Sequence, residues 1–323
     1  MNRNSAKEIQ EFTKLWGGFR ASRVVLTANN YRVFDHLKTP KIAKDIAHVI
    51  SADPRATEIL LDAVTAVGLL KKSGNKYRNT ELAKQFLVQG SPLYQGDMLR
   101  HADSLWKSWS GLDEVVKTGL PNRSGGRDYS SFIRAMHNIA IFRAKSAISA
   151  IDLKGVRRAL DLGGGPGTYS MELAAKKVDV TLFDLPEAIT IAKELVSESG
   201  IENIHFAPGD FHTDDIGSDF DLVFISQIVH SLSVDEAQSL IEKSRDALGP
   251  KGRIVIHDFL LEKDRAHPVP AALFSVNMLV NTPAGRSYTI QEMREWLVKA
   301  GLKAVRTTAL GETVIVTGKK NSR

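Results

Sequence analysis

Residues 157–167 read Arg157-Arg158-Ala159-Leu160-Asp161-Leu162-Gly163-Gly164-Gly165-Pro166-Gly167. A short apolar run ends in an acidic residue and a glycine cluster, and a helical pattern opens at once with Thr168-Tyr-Ser-Met-Glu-Leu-Ala-Ala. The stretch predicts a strand, a tight turn and a helix start, the arrangement in which open α/β sheets hold nucleotide-like ligands. Glycine suits the turn because it tolerates positive φ and lets the backbone approach a ligand closely. A dehydrogenase fingerprint fits less well, since Thr168 falls where its third glycine belongs when the count starts at Gly163.

From this stretch onward strands and helices alternate. Apolar runs predict strands near 157–162, 179–183, 203–207, 220–226, 252–257, 304–309 and 313–318, with helices near 167–177, 186–199, 234–247 and 289–300. Such alternation implies a mostly parallel sheet covered on both faces. Only Ala309-Leu-Gly-Glu312 separates the last two strands, too little for a crossover, so they pair antiparallel.

Upstream the texture changes. Residues 1–94 read as amphipathic helices around 9–34, 41–50 and 54–67, followed by a hairpin turning at Ser73-Gly74-Asn75, a winged-helix-like pattern. Residues 95–150 read as long linking helices, 93–120 and 129–151, around the loop Pro121-Asn-Arg-Ser-Gly-Gly-Arg127. The remainder, 151–323, is the sheet domain.

Four strand ends then carry polar chemistry to one edge. Asp161 closes the first. Asp184, followed by Leu185, closes the second, 23 positions after Asp161, about where an acidic residue accepts from ribose hydroxyls. Gly209, Asp210 and Phe211 follow the third, offering a carboxylate to an adenine amino group and a ring to lie against it. Ser226 ends the fourth. Acidic strand ends also occur as plain caps, and glycine clusters as plain turns. The charge of Asp161 refines the ligand: it repels a pyrophosphate and attracts an ammonium or a sulfonium, which points to S-adenosylmethionine. The expected cofactor-binding residues are Asp161, Gly163, Gly165, Asp184, Leu185, Gly209, Asp210, Phe211 and Ser226.

Composition narrows the class. At 323 residues the chain has room for two domains, and 25% charged with 43% hydrophobic residues is ordinary for a globular protein. With no cysteine, thiolate metal sites, disulfides and a cysteine nucleophile are excluded. The start, Met-Asn-Arg-Asn-Ser-Ala-Lys-Glu, has no apolar signal core, and no stretch reaches the ~20 apolar residues of a membrane span, so a cytoplasmic protein is expected. The net charge of +6 is spread without a dense basic block.

In order and spacing, Asp161–Gly167, Phe183-Asp-Leu-Pro186, Gly209-Asp-Phe211 and Ile225-Ser-Gln-Ile-Val-His230-Ser-Leu-Ser-Val-Asp-Glu236 resemble successive motifs of one family. It is the S-adenosylmethionine-dependent O-methyltransferases of the caffeate, flavonoid and acetylserotonin type, with their bacterial small-molecule relatives. The resemblance covers essentially the whole chain. It implies a Rossmann-like class I methyltransferase sheet, mostly parallel with an antiparallel last strand, behind a helical winged-helix-like dimerisation domain. It implies methylation of a hydroxyl on a small, aromatic molecule, with His230 as general base and Asp258 as its acidic partner. Histidine is the natural base near neutral pH, although a surface histidine opening a helix reads the same way.

One departure stands out. Plant members carry a second glutamate where this chain has Ser287, flanked by Arg286 and Tyr288. That leaves C-methylation, or other cofactor-dependent chemistry on the same fold, open. By resemblance the acceptor pocket draws on His101, Trp106, Met136, His137, Asn277 and Met278, and the front helices interlock in a homodimer. Phe12, Trp16, Phe19, Val24, Val25 and Leu26 suit such an interface and equally a monomer's own core.

Two competing readings are weaker. His257, Asp258, Glu262 and His267 do not share a helix face, and strand alternation points His257 and Asp258 apart, so no metal is expected. A DNA-binding regulator needs a basic recognition helix, whereas Pro54-Arg-Ala-Thr-Glu-Ile-Leu-Leu-Asp-Ala-Val carries one arginine and two acids. No nucleic acid is expected as a partner.

Overall fold

The structure, a computed structural model, describes residues 3–122 and 128–321. It divides into Met1–Asp103 and Ser104–Arg323. Most of the loop expected at 121–127 lies outside the described residues.

The first unit runs α1 (Arg3–Gly17), α2 (Phe19–Asn30), α3 (Val33–His36), β1 (Lys41–Ile42), α4 (Ala43–Val49), α5 (Pro54–Ala66), β2 (Leu70–Ser73), β3 (Lys76–Asn79) and α6 (Glu81–Phe86). Asp53 caps α5 by accepting from Ala56 N–H at 2.7 Å, and Pro54 supplies the pre-set first helical φ. The expected hairpin forms the wing, in a sheet of order β1-β3-β2. Phe34, Leu37, Ile46, Leu61, Val64 and Tyr77 fill the core. The apolar residues singled out near the start split. Leu26 is buried and Val24 packs on the core, whereas Phe12, Trp16 and Phe19 are half or more exposed.

α7 (Gly96–Trp109) contains the boundary between the units, and α8 (Leu112–Thr118), α9 (Tyr129–Ala140) and α10 (Ala144–Ser149) follow. The two long linking helices of the sequence reading are therefore each broken. Ser110 and Gly111 interrupt the first. At the second break Phe142 N–H and Arg143 N–H reach back three residues, to the Ile139 and Ala140 carbonyls, the bonding of a tightened last turn.

The sheet domain contains β4 (Arg158–Leu162), α11 (Thr168–Ala174), β5 (Asp179–Asp184), α12 (Pro186–Ser199), β6 (Ile204–Pro208), β7 (Phe220–Ser226), α13 (Val234–Ala247), β8 (Leu248–Phe259), α14 (Val269–Asn281), α15 (Ile290–Lys299), β9 (Lys303–Leu310) and β10 (Thr313–Lys319). The order is β6-β5-β4-β7-β8-β10-β9. β4 pairs parallel with β5 and β7, β5 with β6 and β7 with β8, while β10 runs antiparallel to both β8 and β9. The expected sheet is thus present, with all seven strands near their predicted places.

Alternation along the strands sorts two apolar layers. Leu160, Leu162, Val223, Ile225, Ile254 and Ile256 face α13 and α15. Ala159, Leu182, Leu222, Phe224 and Val255 face the layer that holds α10, α11 and α12. This sorting decides where each polar strand-end residue points. No helix among the described residues is long and apolar enough to cross a membrane.

Candidate active site

Asp161 shares its strand face with Ala159 and so drops into the layer under α11. It is 1% exposed and accepts from Ser170 Oγ at 2.6 Å. Burial pushes its carboxyl up to about 7, Asp184 nearby adds to the rise, and the Ser170 hydroxyl and N–H oppose it. The glycine loop lies directly on this carboxylate: a Cβ at Gly164 would sit 3.0 Å from its Oδ2. Gly165 takes φ +51° and a Cβ there would meet nothing within 4 Å, so the loop faces open space on its outer side.

Asp184 reaches back to the same loop, accepting from Gly165 N–H and Leu185 N–H, each at 2.7 Å. Burial raises its pKa and these two bonds lower it. Leu185 beside it is 40% exposed, an apolar side chain left at the rim. Gly209 N–H donates to the Asp184 carbonyl at 2.9 Å, which ties the β6 end to the β5 end. Asp210 accepts from His212 N–H at 2.9 Å, and Phe211 is half-buried against the α13 layer.

Ser226 points into the other layer. Its hydroxyl is 2.9 Å from His257 Nδ1, and both residues are buried. Burial pushes His257 down to about 4, so it is neutral near pH 7, and its ring stacks on Phe224 at 6.2 Å. Gln227 was missed by the sequence reading. It sits at φ +59°, rare for a residue with a side chain, and its N–H is held by the His257 carbonyl at 2.8 Å. Its Nε2 is buried without a hydrogen-bond partner among the described residues. The only sequence signal is a polar pair, Ser226-Gln227, ending an apolar run.

A 3₁₀ turn, Val229–Ser231, carries His230 over from β7. Gly285 lets the 282–288 loop close on this turn, since a Cβ there would lie 2.5 Å from the His230 carbonyl. Tyr288 locks it by donating to the Leu232 carbonyl at 2.6 Å. His230 Nδ1 is 2.8 Å from Asp258 Oδ1, and both side chains are buried. Asp258 Oδ1 also accepts from Phe259 N–H at 2.7 Å, while Oδ2 is buried without a partner among the described residues. Phe274 meets the imidazole edge-on at 4.7 Å, and Phe259 packs on Phe274 at 4.1 Å. Neither phenylalanine was foreseen, because an aromatic in an apolar helix or strand reads as core.

Ser287 is 1% exposed, its hydroxyl donating to the Ala271 carbonyl at 2.8 Å and its N–H to Ser275 Oγ at 3.1 Å. Ser287, the departure noted in the sequence, is a tie between loop and α14. Arg286 turns to Glu292 at 2.7 Å and lies over the Tyr288 ring.

Of the expected pocket residues, His137 Nδ1 is 2.8 Å from Thr168 Oγ1, which brings α9 to the end of the glycine loop. Asn277 Oδ1 accepts from Trp109 Nε1–H at 3.0 Å and from Asn281 at 3.1 Å. Met278 is buried at 8% exposure. Trp106 and Met136 are half-buried, and His101 belongs to the first unit.

The edge as a whole fits S-adenosylmethionine. It offers a carboxylate beside a glycine loop for ribose hydroxyls, an exposed apolar side chain for a flat base, and an orphaned amide donor in Gln227 for a carboxylate. The comparisons agree. Residues 116–303 match the O-methyltransferase domain and residues 13–89 the O-methyltransferase dimerisation domain. A 3-hydroxy-5-methyl-1-naphthoate 3-O-methyltransferase of Streptomyces sahachiroi is 34% identical over 86% of this chain and 85% of its own length. The tetracenomycin polyketide synthesis 8-O-methyl transferase of Streptomyces glaucescens is 30% identical over 96% of each. The crystal structure of human N-acetylserotonin methyltransferase in complex with S-adenosylmethionine superposes with a TM-score of 0.89, at 26% identity, over 100% of each chain.

The chain belongs to the S-adenosylmethionine-dependent O-methyltransferase family. It is a small-molecule O-methyltransferase, and S-adenosylmethionine is its cofactor.

Proposed function

We propose that the acceptor is a small, planar aromatic molecule and that His230 takes the proton from its hydroxyl. The observation that carries this is the buried His230–Asp258 pair at 2.8 Å, flanked by the Phe259–Phe274 wall. An imidazole that donates from Nδ1 to a carboxylate keeps its lone pair on Nε2. Nε2 is therefore the atom that receives the phenolic proton, and Asp258 stabilises the imidazolium that results. Phe274 and Phe259 offer the apolar, flat surface on which an aromatic acceptor lies, and the relatives named for a hydroxynaphthoate and a tetracenomycin polyketide favour such acceptors.

When bound, S-adenosylmethionine supplies the methyl group as an electrophile. Asp184, Leu185, Asp210, Phe211, Gln227 and the glycine loop are the residues that would hold it. The rest of the catalysis is alignment of the acceptor oxygen with that methyl, which rigid strand ends supply. The enzyme acts as a homodimer through its dimerisation domain, with no nucleic acid as partner. Methyl transfer from labelled cofactor to a panel of hydroxynaphthoates and other phenols tests this, with wild type against His230→Ala. The expected result is a loss of at least about 10²-fold in kcat with cofactor affinity kept within about threefold. A near-wild-type rate in the variant at every pH would refute the base assignment.

A further inference from the structure

Asp161 is unusual among the site's acids. It lies at the centre of the cofactor edge, yet it is enclosed by protein on every side the structure describes. Gly164 covers it from the loop. Ser170, itself 0% exposed, closes it from α11 with a 2.6 Å bond. Among the described residues, the charged and titratable groups that bear on it are Asp184 from β5 and Tyr169 from α11, and neither brings a positive charge. The neighbouring residues of β7 on that face are apolar, Leu222 and Phe224. A carboxylate in this setting ionises only with help, because burial disfavours the charged form. Hydrogen bonds to a carboxylate are the help available, and Ser170 supplies both the hydroxyl and the backbone donor.

We infer that Ser170 is a positioning residue for the cofactor: its hydroxyl holds Asp161 in the ionised, loop-facing state that the positively charged S-adenosylmethionine requires. The inference rests on the cofactor assignment and concerns a residue that touches no open part of the site. The carboxyl of free enzyme, held at about 7, is only partly ionised at neutral pH. A cation bound at this edge would draw the proton off to solvent, so cofactor binding is expected to release a proton. Without the Ser170 hydroxyl, the free enzyme holds that proton more tightly, and the cofactor must displace it at greater cost.

The test is calorimetry of S-adenosylmethionine binding between pH 6 and 9, in buffers of different ionisation enthalpy, for wild type, Ser170→Ala, Asp161→Asn and the double variant. Each variant is compared with wild type at the same pH, which cancels the cofactor's own titration. Ser170→Ala is expected to bind about tenfold more weakly at pH 7 and to recover to within about threefold at pH 9. It should also release more protons than wild type at pH 7, and Asp161→Asn should lack this component. In the Asp161→Asn background, Ser170→Ala should change affinity less than about twofold. A loss in Ser170→Ala that is equal at every pH, or equal in both backgrounds, overturns the inference in favour of plain packing. Absence of binding by folded wild type would instead strike at the cofactor assignment itself.

Discussion

His230 and Asp258 leave neighbouring strands, β7 and β8, and meet at 2.8 Å above the sheet, with Asp258 on the opposite face of its strand from His257. One strand therefore supplies two unlike groups. His257 is locked inside against Ser226, and Asp258 is turned to His230. Because Asp258 Oδ1 is already fixed by Phe259 N–H, the carboxylate cannot swing to follow the imidazole, and the imidazole is oriented by it.

Asp258→Asn replaces one carboxylate oxygen by an amide while keeping the shape. The amide stabilises an imidazolium poorly and can favour the wrong tautomer. A fall of about 10²-fold in kcat is expected, with the S-adenosylmethionine dissociation constant within about twofold of wild type. Single-turnover methyl transfer and calorimetry measure the two quantities separately. Weakened cofactor binding with unchanged kcat would move Asp258 out of the base machinery.

The buried carboxyl of Asp161 makes the stability of the fold depend on pH. Its carboxyl is raised from 3.8 to about 7 by burial in the folded chain, so the unfolded chain ionises first as pH rises. The folded state is then favoured below pH 4 and loses that advantage progressively up to about pH 7, above which the deficit is complete. His257 works oppositely: lowered to about 4, it leaves stability intact above 6.5 and removes it as pH falls toward 4. Asp161→Asn should raise the stability of the cofactor-free enzyme at pH 8 by roughly 2–4 kcal/mol, while weakening S-adenosylmethionine binding. Urea denaturation at pH 5 and 8 checks this. The gain should shrink at the lower pH, and a variant less stable than wild type at pH 8 would contradict it.

Legibility followed the physics of each element. The strand–glycine–helix stretch at 157–167 could be read because an apolar run, a turn and a helix start are all local signals, and α12 and α13 fall where their 3.6-residue periodicity and caps put them. The placement of Asp184 at the end of β5 and of His230 just beyond β7 could be read because the strand boundaries are local signals. Gln227 could not, since a left-handed backbone at a residue with a side chain is fixed by the His257 carbonyl from another strand. Phe259 and Phe274 could not, since contact with His230 is a matter of tertiary placement. The role of Ser287 was legible only as a departure, and its bond to Ala271 depends on where α14 lies.

Tyr288→Phe removes one hydroxyl from a buried bond of 2.6 Å and leaves the Leu232 carbonyl without its donor. Burial already pushes the phenol up to about 12, so it is a neutral donor at every pH of interest. A cost of about 1–2 kcal/mol in stability is expected, seen as a lower urea midpoint with the slope unchanged. Leu232 directly follows the turn that carries His230, so kcat should also fall a few-fold while cofactor binding stays the same. Equal stability of variant and wild type would mean that another group satisfies the Leu232 carbonyl.

The front helix presents Ile9, Phe12, Leu15 and Trp16 at 49%, 60%, 81% and 50% exposure. Their positions, spaced by three, three and one, lie along one side of α1, and large apolar patches on a soluble chain mark association surfaces. They fall in or beside the stretch matched by the dimerisation domain, residues 13–89. Leu15→Glu with Trp16→Glu puts two charges into a surface that must lose water to pair. These changes alter no side chain of the sheet domain, so cofactor binding per subunit should persist within about threefold while the dimer gives way to monomer. Sedimentation velocity across a concentration series reads the assembly and calorimetry reads the site. A double variant that stays dimeric at low micromolar concentration would place the interface elsewhere in the first unit.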